Sequence, residues 1–189
     1  DRIMSSGINL NQGDSPFLGT FHSFGARILK EEAEKEGRNR NFTIFDGDDS
    51  LSLLKKLMKQ YNISKEKYKP SELLRDFSAI KSELLKPDGN LETIPERLFK
   101  EYEEELKKNN AFDFDDLIEK PVKIFLNNPE ILKKYQEKYK HILIDEYQDT
   151  NSAQYTLVKL LAEKHRNLTV VGDDAQAIYS FRGADFRNF

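Results

Sequence analysis

The chain has 189 residues, of which 33% are charged, and its formal net charge is −3. That length holds one domain with a core, or one domain with a subdomain, and the mild acidity excludes a uniformly basic nucleic-acid binder, so any DNA contact must come from a local patch. The absence of cysteine excludes disulfides and thiolate metal sites, the spacing of His22, His141 and His165 excludes a histidine zinc site, and no apolar run nears the roughly 20 residues of a membrane span.

The chain opens on Asp1 without a methionine and stops at Phe189 in a polar stretch, which suggests an excised piece of a longer protein. No signal peptide is visible, and a reducing, cytoplasmic setting is expected. Residues 1–16 are polar and read as a connector. Residues 17–21 read as a short strand that leads into Thr20-Phe21-His22-Ser23. Ser23 is placed to cap a helix reaching Glu32, with Phe24, Ile28 and Leu29 on one side and a break from Gly37 to Asn41.

A helical block follows. Ser50 is expected to cap a helix carrying Leu51, Leu54, Leu57, Met58 and Tyr61. Pro70 opens a second, with Leu73, Phe77, Ile80 and Leu84 on one stripe, and Pro87-Asp88-Gly89-Asn90 ends it. Thr93 and Glu96 have the spacing of a capping box for a third, with Leu98, Phe99, Tyr102 and Leu106 inward. Residues 114–125 form a fourth, which Pro121 should kink, and Pro129 opens a fifth that runs through Tyr139.

After Lys140 the pattern changes. A strand over 141–146, a helix over 152–165 and a strand over 168–172 make one βαβ unit, with parallel strands by the handedness rule. Apolar strand residues are expected to be buried, with carboxylates projecting beyond the carboxyl end, where open α/β sheets bind ligands. His141-Ile142-Leu143-Ile144 runs into Asp145-Glu146, and Leu168-Thr169-Val170-Val171 runs into Gly172-Asp173-Asp174-Ala175-Gln176. Magnesium takes hard oxygen ligands and keeps waters, so Asp145 can hold it while Glu146 orients or deprotonates an attacking water. The plainer alternative is a solvated turn, with Asp149, Thr150 or Ser152 capping the next helix. If the two strands are direct neighbours, roughly 4.8 Å apart, Asp145, Glu146 and Gln176 share one crevice.

Tyr179-Ser180-Phe181-Arg182-Gly183 sets two aromatics and an arginine after that turn, and aromatic faces stack on bases without reading sequence. Lys55, Lys56, Lys59, Lys65, Lys67 and Lys69 make either a duplex-contacting patch or a solvated helix face. Asp113-Phe114-Asp115-Asp116 reads as helix capping with favourable dipole placement. The acidic run at 46–50 lacks the glycine and glutamate positions of a calcium loop.

These motifs resemble the UvrD/Rep/PcrA family of superfamily 1 DNA helicases. The resemblance rests on DEYQDT at 145–150, GDDAQAIYSFRGA at 172–184, TFHS at 20–23 and FDFDDL at 112–117. It implies a P-loop NTPase-type α/β fold, with a partial RecA-like parallel sheet and an all-helical insertion. The motor domain 1A would comprise 1–30 and 112–189, and the insertion, subdomain 1B, 31–111. It further implies 3′–5′ translocation on single-stranded DNA driven by Mg2+ and ATP, with duplex unwinding and with repair or replication proteins as partners. Asp145 would bind magnesium, Glu146 would activate water and Gln176 would sense the γ-phosphate. Thr20, Phe21, His22, Ser23, Tyr179, Phe181 and Arg182 would line the strand's path. Asp113 and Asp115 gain weight as functional residues. Phe181 stands where the family usually has tryptophan. No G-x-x-x-x-G-K-[ST] loop is present, and the second motor domain is missing, so the 189 residues alone are expected neither to hydrolyse ATP nor to unwind DNA. The helicase half of a helicase–nuclease and a non-catalytic DNA- or partner-binding module are the alternatives.

Overall fold

The computed structural model describes residues 16–84 and 93–173. The first helix, α1, spans Phe21–Glu32. Residues 17–20 form no strand, contrary to expectation, and the cap is Thr20, not Ser23. Thr20 Oγ1 accepts from the Ser23 N–H at 3.2 Å, and Ser23 Oγ donates to the Thr20 carbonyl at 2.8 Å. The cap's hydroxyl reaches the third helical N–H, which fixes the helix start at Phe21. A 3-10 turn, Ala33–Glu36, then ends at Gly37, whose φ of 67° suits glycine.

Strand β1 (Thr43–Phe45) leads into α2 (Gly47–Gln60), α3 (Pro70–Ser82) and α4 (Ile94–Lys108), and strand β2 (Ala111–Asp113) leaves them. Helix α2 begins before Ser50, because Asp46 and Asp49 form a reciprocal capping box and Ser50 is buried inside. Pro70 opens α3 and Thr93 caps α4, in line with the sequence. The stop signal at 87–90 lies outside the described residues. Strands β1 and β2 pair in parallel, Thr43 opposite Ala111 and Phe45 opposite Asp113, so the entry and exit of the helical block are stitched together.

Helix α5 spans Asp116–Asn127, two residues later than expected at its start. Asp113 N–H donates to Asp116 Oδ2 at 3.2 Å and Asp116 N–H to Asp113 Oδ1 at 2.9 Å, so residues 113–116 close a turn first. The helix continues through Pro121. Proline cannot bond the carbonyl four residues back, here Leu117. Gly25 of α1 packs on that carbonyl: a Cβ at Gly25 would lie 1.6 Å from Leu117 O. Helix α6 spans Pro129–Lys138.

Strand β3 (Ile142–Ile144), helix α7 (Ser152–Ala162) and strand β4 (Leu168–Val170) form the expected unit, with β3 and β4 directly paired and parallel. Asn151, not Asp149, Thr150 or Ser152, caps α7, in a capping box with Gln154. The apolar strand residues are not buried as expected. Leu143 is 70% exposed, and Leu168, Val170 and Val171 are also open. Among the described residues only Ile142 of these two strands packs against a core, whereas continuous apolar strands suit a sheet covered on both faces.

Two apolar cores result. One gathers Ile28, Leu29, Phe112, Val122, Phe125 and Leu157 from α1, β2, α5 and α7. The other gathers Leu54, Met58, Phe77, Leu98, Tyr102 and Leu106 from α2, α3 and α4, with Ala111 at its edge. The neighbours Ala111 and Phe112 therefore point into different cores.

Candidate functional site

The acidic turn sits at the carboxyl end of β3. Asp145 and Glu146 are both exposed. Asp145 Oδ1 accepts from the Glu146 N–H at 3.0 Å, which orients that carboxylate. Glu146 holds a left-handed backbone, φ 52° and ψ 43°. A non-glycine residue there is strained, and such strain gathers at functional sites. A 3-10 turn, Tyr147–Asp149, follows, with Tyr147 and Gln148 buried. Thr150 Oγ1 donates to the Tyr147 carbonyl at 2.8 Å and closes it. Gln148 Nε2 donates to Glu146 Oε2 at 2.7 Å, and Gln148 Oε1 accepts from the Asp173 N–H at 3.0 Å. The two acidic clusters are thus joined through one amide side chain. Strands β3 and β4 pair directly, Ile142 opposite Leu168 and Ile144 opposite Val170. Gln176, Tyr179, Phe181 and Arg182 lie outside the described residues.

Asp145 and Glu146 fit a hard divalent ion by their chemistry: exposed carboxylate oxygens at the carboxyl edge of a parallel sheet. A second acidic group does not. Glu103, Asp113 and Asp116 converge closely enough to hold a metal, yet the ammonium of Lys81 occupies the centre, at 2.7, 2.6 and 2.8 Å from them. Lys120 lies 2.5 Å from Glu103 and 3.4 Å from Asp116. Tyr102 donates to Asp113 Oδ2 at 3.1 Å. The network spans α3, α4, β2 and α5.

Charge is divided unevenly in it. Burial alone would raise Asp116, but the ammoniums of Lys81 and Lys120 outweigh it and hold that carboxyl well below the usual range. Burial and the Asp116 charge push Asp113 up to about 6, against the pull of Lys81. Burial opposes the charge on Lys81, but Asp116, Asp113 and Glu103 together raise it well above an ordinary lysine. Asp115, beside them, is raised by burial.

The TFHS segment is divided between roles. The hydroxyls of Thr20 and Ser23 form the cap of α1, and Phe21 packs against the first core. His22 stacks on Phe114, with ring centroids 3.9 Å apart and planes 20° apart. Burial lowers the His22 pKa, which favours the neutral ring. Phe114 itself is 56% exposed. It also edges an open cleft of about 230 Å³ whose walls include Phe45, Leu74, Phe77, Tyr102 and Asp115. Lys55, Lys56 and Lys59 are exposed on the face of α2 opposite Leu53, Leu54, Leu57 and Met58. A larger open cleft, about 420 Å³, lies between His141 and Thr169 at the amino end of β3 and β4, away from the acidic turn.

Sequence reasoning missed Lys81, Phe114 and Gln148. A signal for Lys81 was available: it continues the Leu73, Phe77 spacing of four into a buried stripe, where a lysine needs a carboxylate partner. Phe114 carried a weaker one, as the single aromatic between acidic residues that cannot enter a core unpaired. Gln148 stood inside a quoted motif, but only the fold brings it to Asp173.

Taken together, these features define an α/β protein whose acidic turn crowns a parallel βαβ unit. The model of the UvrD/REP helicase N-terminal domain matches residues 2–189, and the chain belongs to that family. It is 43% identical over 182 residues to the ATP-dependent DNA helicase PcrA of Bacillus subtilis strain 168. It is 44% identical over 185 residues to the PcrA of Staphylococcus aureus strain Mu50, and 44% identical over 179 residues to that of Staphylococcus epidermidis strain ATCC 35984. These alignments cover 93%, 94% and 91% of this chain but 25% of each relative, so the chain spans about a quarter of their length. Among the described residues no helix is long and apolar enough to cross a membrane.

Proposed function

We propose that this chain is part of the first motor domain of an ATP-dependent 3′–5′ DNA helicase, a translocase that couples Mg-ATP hydrolysis to movement on single-stranded DNA. The observation that carries this reading is the exposed Asp145-Glu146 pair at the carboxyl end of β3, beside the exit of β4. The family membership and the relatives named above support it. On this reading α2, α3 and α4 belong to the helical insertion, residues 31–111, and residues 1–30 and 112–189 belong to the RecA-like layer.

Asp145 would hold the magnesium ion, which when bound neutralises charge on the nucleotide phosphates. Glu146 orients a water and accepts its proton as the water oxygen bonds to the γ-phosphorus and the bond to the bridging oxygen breaks. Gln176 contacts the γ-phosphate. Phe114, stacked on His22 yet largely exposed, would offer its ring to a base, and Tyr179, Phe181 and Arg182 would also contact the strand. The 189 residues contain no G-x-x-x-x-G-K-[ST] loop to cradle phosphates, so by themselves they would turn over no ATP.

The deciding experiment is Glu146→Gln in the full-length parent. DNA-stimulated ATP hydrolysis should fall by at least about 100-fold, the scale of general-base catalysis. Turnover that survives the change would sink the reading, because the group that activates water would then lie elsewhere.

A further inference from the structure

The ladder between β3 and β4 continues past both strands. The Val171 N–H donates to the Ile144 carbonyl at 2.8 Å, and the Tyr147 N–H to the Val171 carbonyl at 3.0 Å. Beyond that point the backbone after β3 turns away into its 3-10 turn, while the chain after β4 runs on to Asp173. The next rung is completed by a side chain. Gln148 Oε1 accepts the Asp173 N–H, and Gln148 Nε2 donates to the Glu146 carboxylate. A carboxamide has the donor and acceptor of a peptide group, so this one side chain can bond the Asp173 backbone and the Glu146 carboxylate together. Gln148 is 2% exposed, so water does not readily replace either bond.

We propose that Gln148 is a positioning residue that fixes the Glu146 carboxylate and ties it to the segment leaving β4, so that hydrolysis responds to that segment. The inference rests on the hydrolase reading above. Asp173 lies three residues before Gln176 and six before Tyr179 in sequence. A shift of Asp173 is passed through Gln148 to the catalytic carboxylate, where a displacement of about 1 Å costs on the order of 100-fold in rate. No other side chain of this length both accepts at one end and donates at the other. A carboxylate of the same shape cannot donate to Glu146 and would repel it, and a thioether makes neither bond.

The test compares Gln148→Met, Gln148→Glu and Glu146→Gln with the unaltered full-length parent. ATP turnover is measured with and without single-stranded DNA, together with the nucleotide KM and thermal unfolding. In the two Gln148 variants DNA-stimulated kcat should fall by at least about tenfold, the usual cost of losing a residue that orients a catalytic group. The ratio of stimulated to unstimulated turnover should fall toward one, with KM nearly unchanged. A stimulated kcat and ratio within about twofold of the parent overturn the role of Gln148, whatever the other variant does. So does an equal fall in both turnovers with the ratio preserved, which marks a merely structural residue. If Gln148→Met unfolds, the Gln148→Glu protein, nearly identical in shape, decides by the same ratio. Activity that survives Glu146→Gln overturns the hydrolase reading and this inference together, whereas loss there with indifferent Gln148 variants overturns this inference alone.

Discussion

Lys81 Nζ and Asp113 Oδ2 lie 2.6 Å apart, and that pair joins the helical block to the strand by which the chain leaves it. Lys81 comes from α3, whose other inward residues, Leu73 and Phe77, belong to the second core. Asp113 ends β2 and, with Asp116, opens α5 of the first core. The two cores therefore meet through an ionic junction, beside the apolar contact that Leu84 makes with the first core. Replacing Lys81 by Met should cost about 3–5 kcal/mol, because it strands buried carboxylates whose cation is gone. Urea unfolding of both proteins measures it. A loss below about 1 kcal/mol would mean that Lys120 and water neutralise the group unaided.

The same junction gives stability an unusual pH dependence. The Asp113 carboxyl titrates at about 6 in the fold, against 3.8 for an ordinary aspartate. Between those values the folded chain holds a proton that the unfolded chain has released. This stabilising contribution is fully present below about pH 4 and is lost as pH rises through about 6. Asp116, held low, acts oppositely: its contribution is present above about pH 4 and is lost on further acidification. Relative to Asp113→Asn, which keeps that carboxyl's neutral shape, the unaltered chain should lose stability between pH 4 and 7. Glu36, also raised by burial, is common to both proteins and cancels in the difference. Parallel melting-temperature curves across this range would show that Asp113 does not hold the proton.

Gly25 sets the approach of α1 to α5. A methyl group there would stand 1.6 Å from the Leu117 carbonyl oxygen, and backbone in a helix cannot step aside as a side chain can. Gly25→Ala should destabilise by about 3 kcal/mol or more, by forcing the two helices apart. Gly47→Ala is the control: it opens α2 with nothing near its Cβ, and the gain in helix propensity should leave it neutral or about 0.5 kcal/mol more stable. Equal effects in denaturant titrations would refute the close-approach argument.

Phe114 stacks on His22 yet stays largely exposed, so its removal should separate binding from folding. Stacking is worth about 1–3 kcal/mol per base, so Phe114→Ala should weaken single-stranded DNA binding by roughly 5- to 150-fold in the full-length parent. The melting temperature should change little, since 56% of the residue already faces solvent. Anisotropy titrations with a labelled oligonucleotide check this. Unchanged affinity would make the His22–Phe114 stack a packing feature alone.

The helices and the βαβ unit were legible because each has a long repeating signal: apolar spacing, proline at the first turn, a capping residue. Strands β1 and β2 were not, since three residues such as Thr43-Ile44-Phe45 carry no period, and their partners are 68 positions away by register, Thr43 to Ala111. The caps at Thr20, Asp46 and Asn151 were each misplaced by a few positions, because several hydroxyl, acid or amide residues crowd each helix start and only geometry selects one. At the site, Asp145 and Glu146 were readable because they end an apolar run. Lys81 was not, because its meaning depends on three carboxylates from α4, β2 and α5.

Lys55, Lys56 and Lys59 stand on the outer face of α2, and α2 is fixed to the rest of the helical block by Leu54, Leu57 and Met58. A flexible lysine face usually does no more than keep a helix soluble, whereas lysines that meet a phosphate backbone release counterions. The two cases differ in salt dependence rather than in affinity at one salt concentration. If the patch touches duplex DNA, changing all three lysines to glutamine in the full-length parent should lower the slope of log affinity against log salt by about one per lost phosphate contact. The loss should appear on a substrate with a duplex segment and be absent on a short single strand, since Phe114 and the other residues proposed to meet the single strand are untouched. An unchanged slope on the duplex substrate would assign these lysines to solvent.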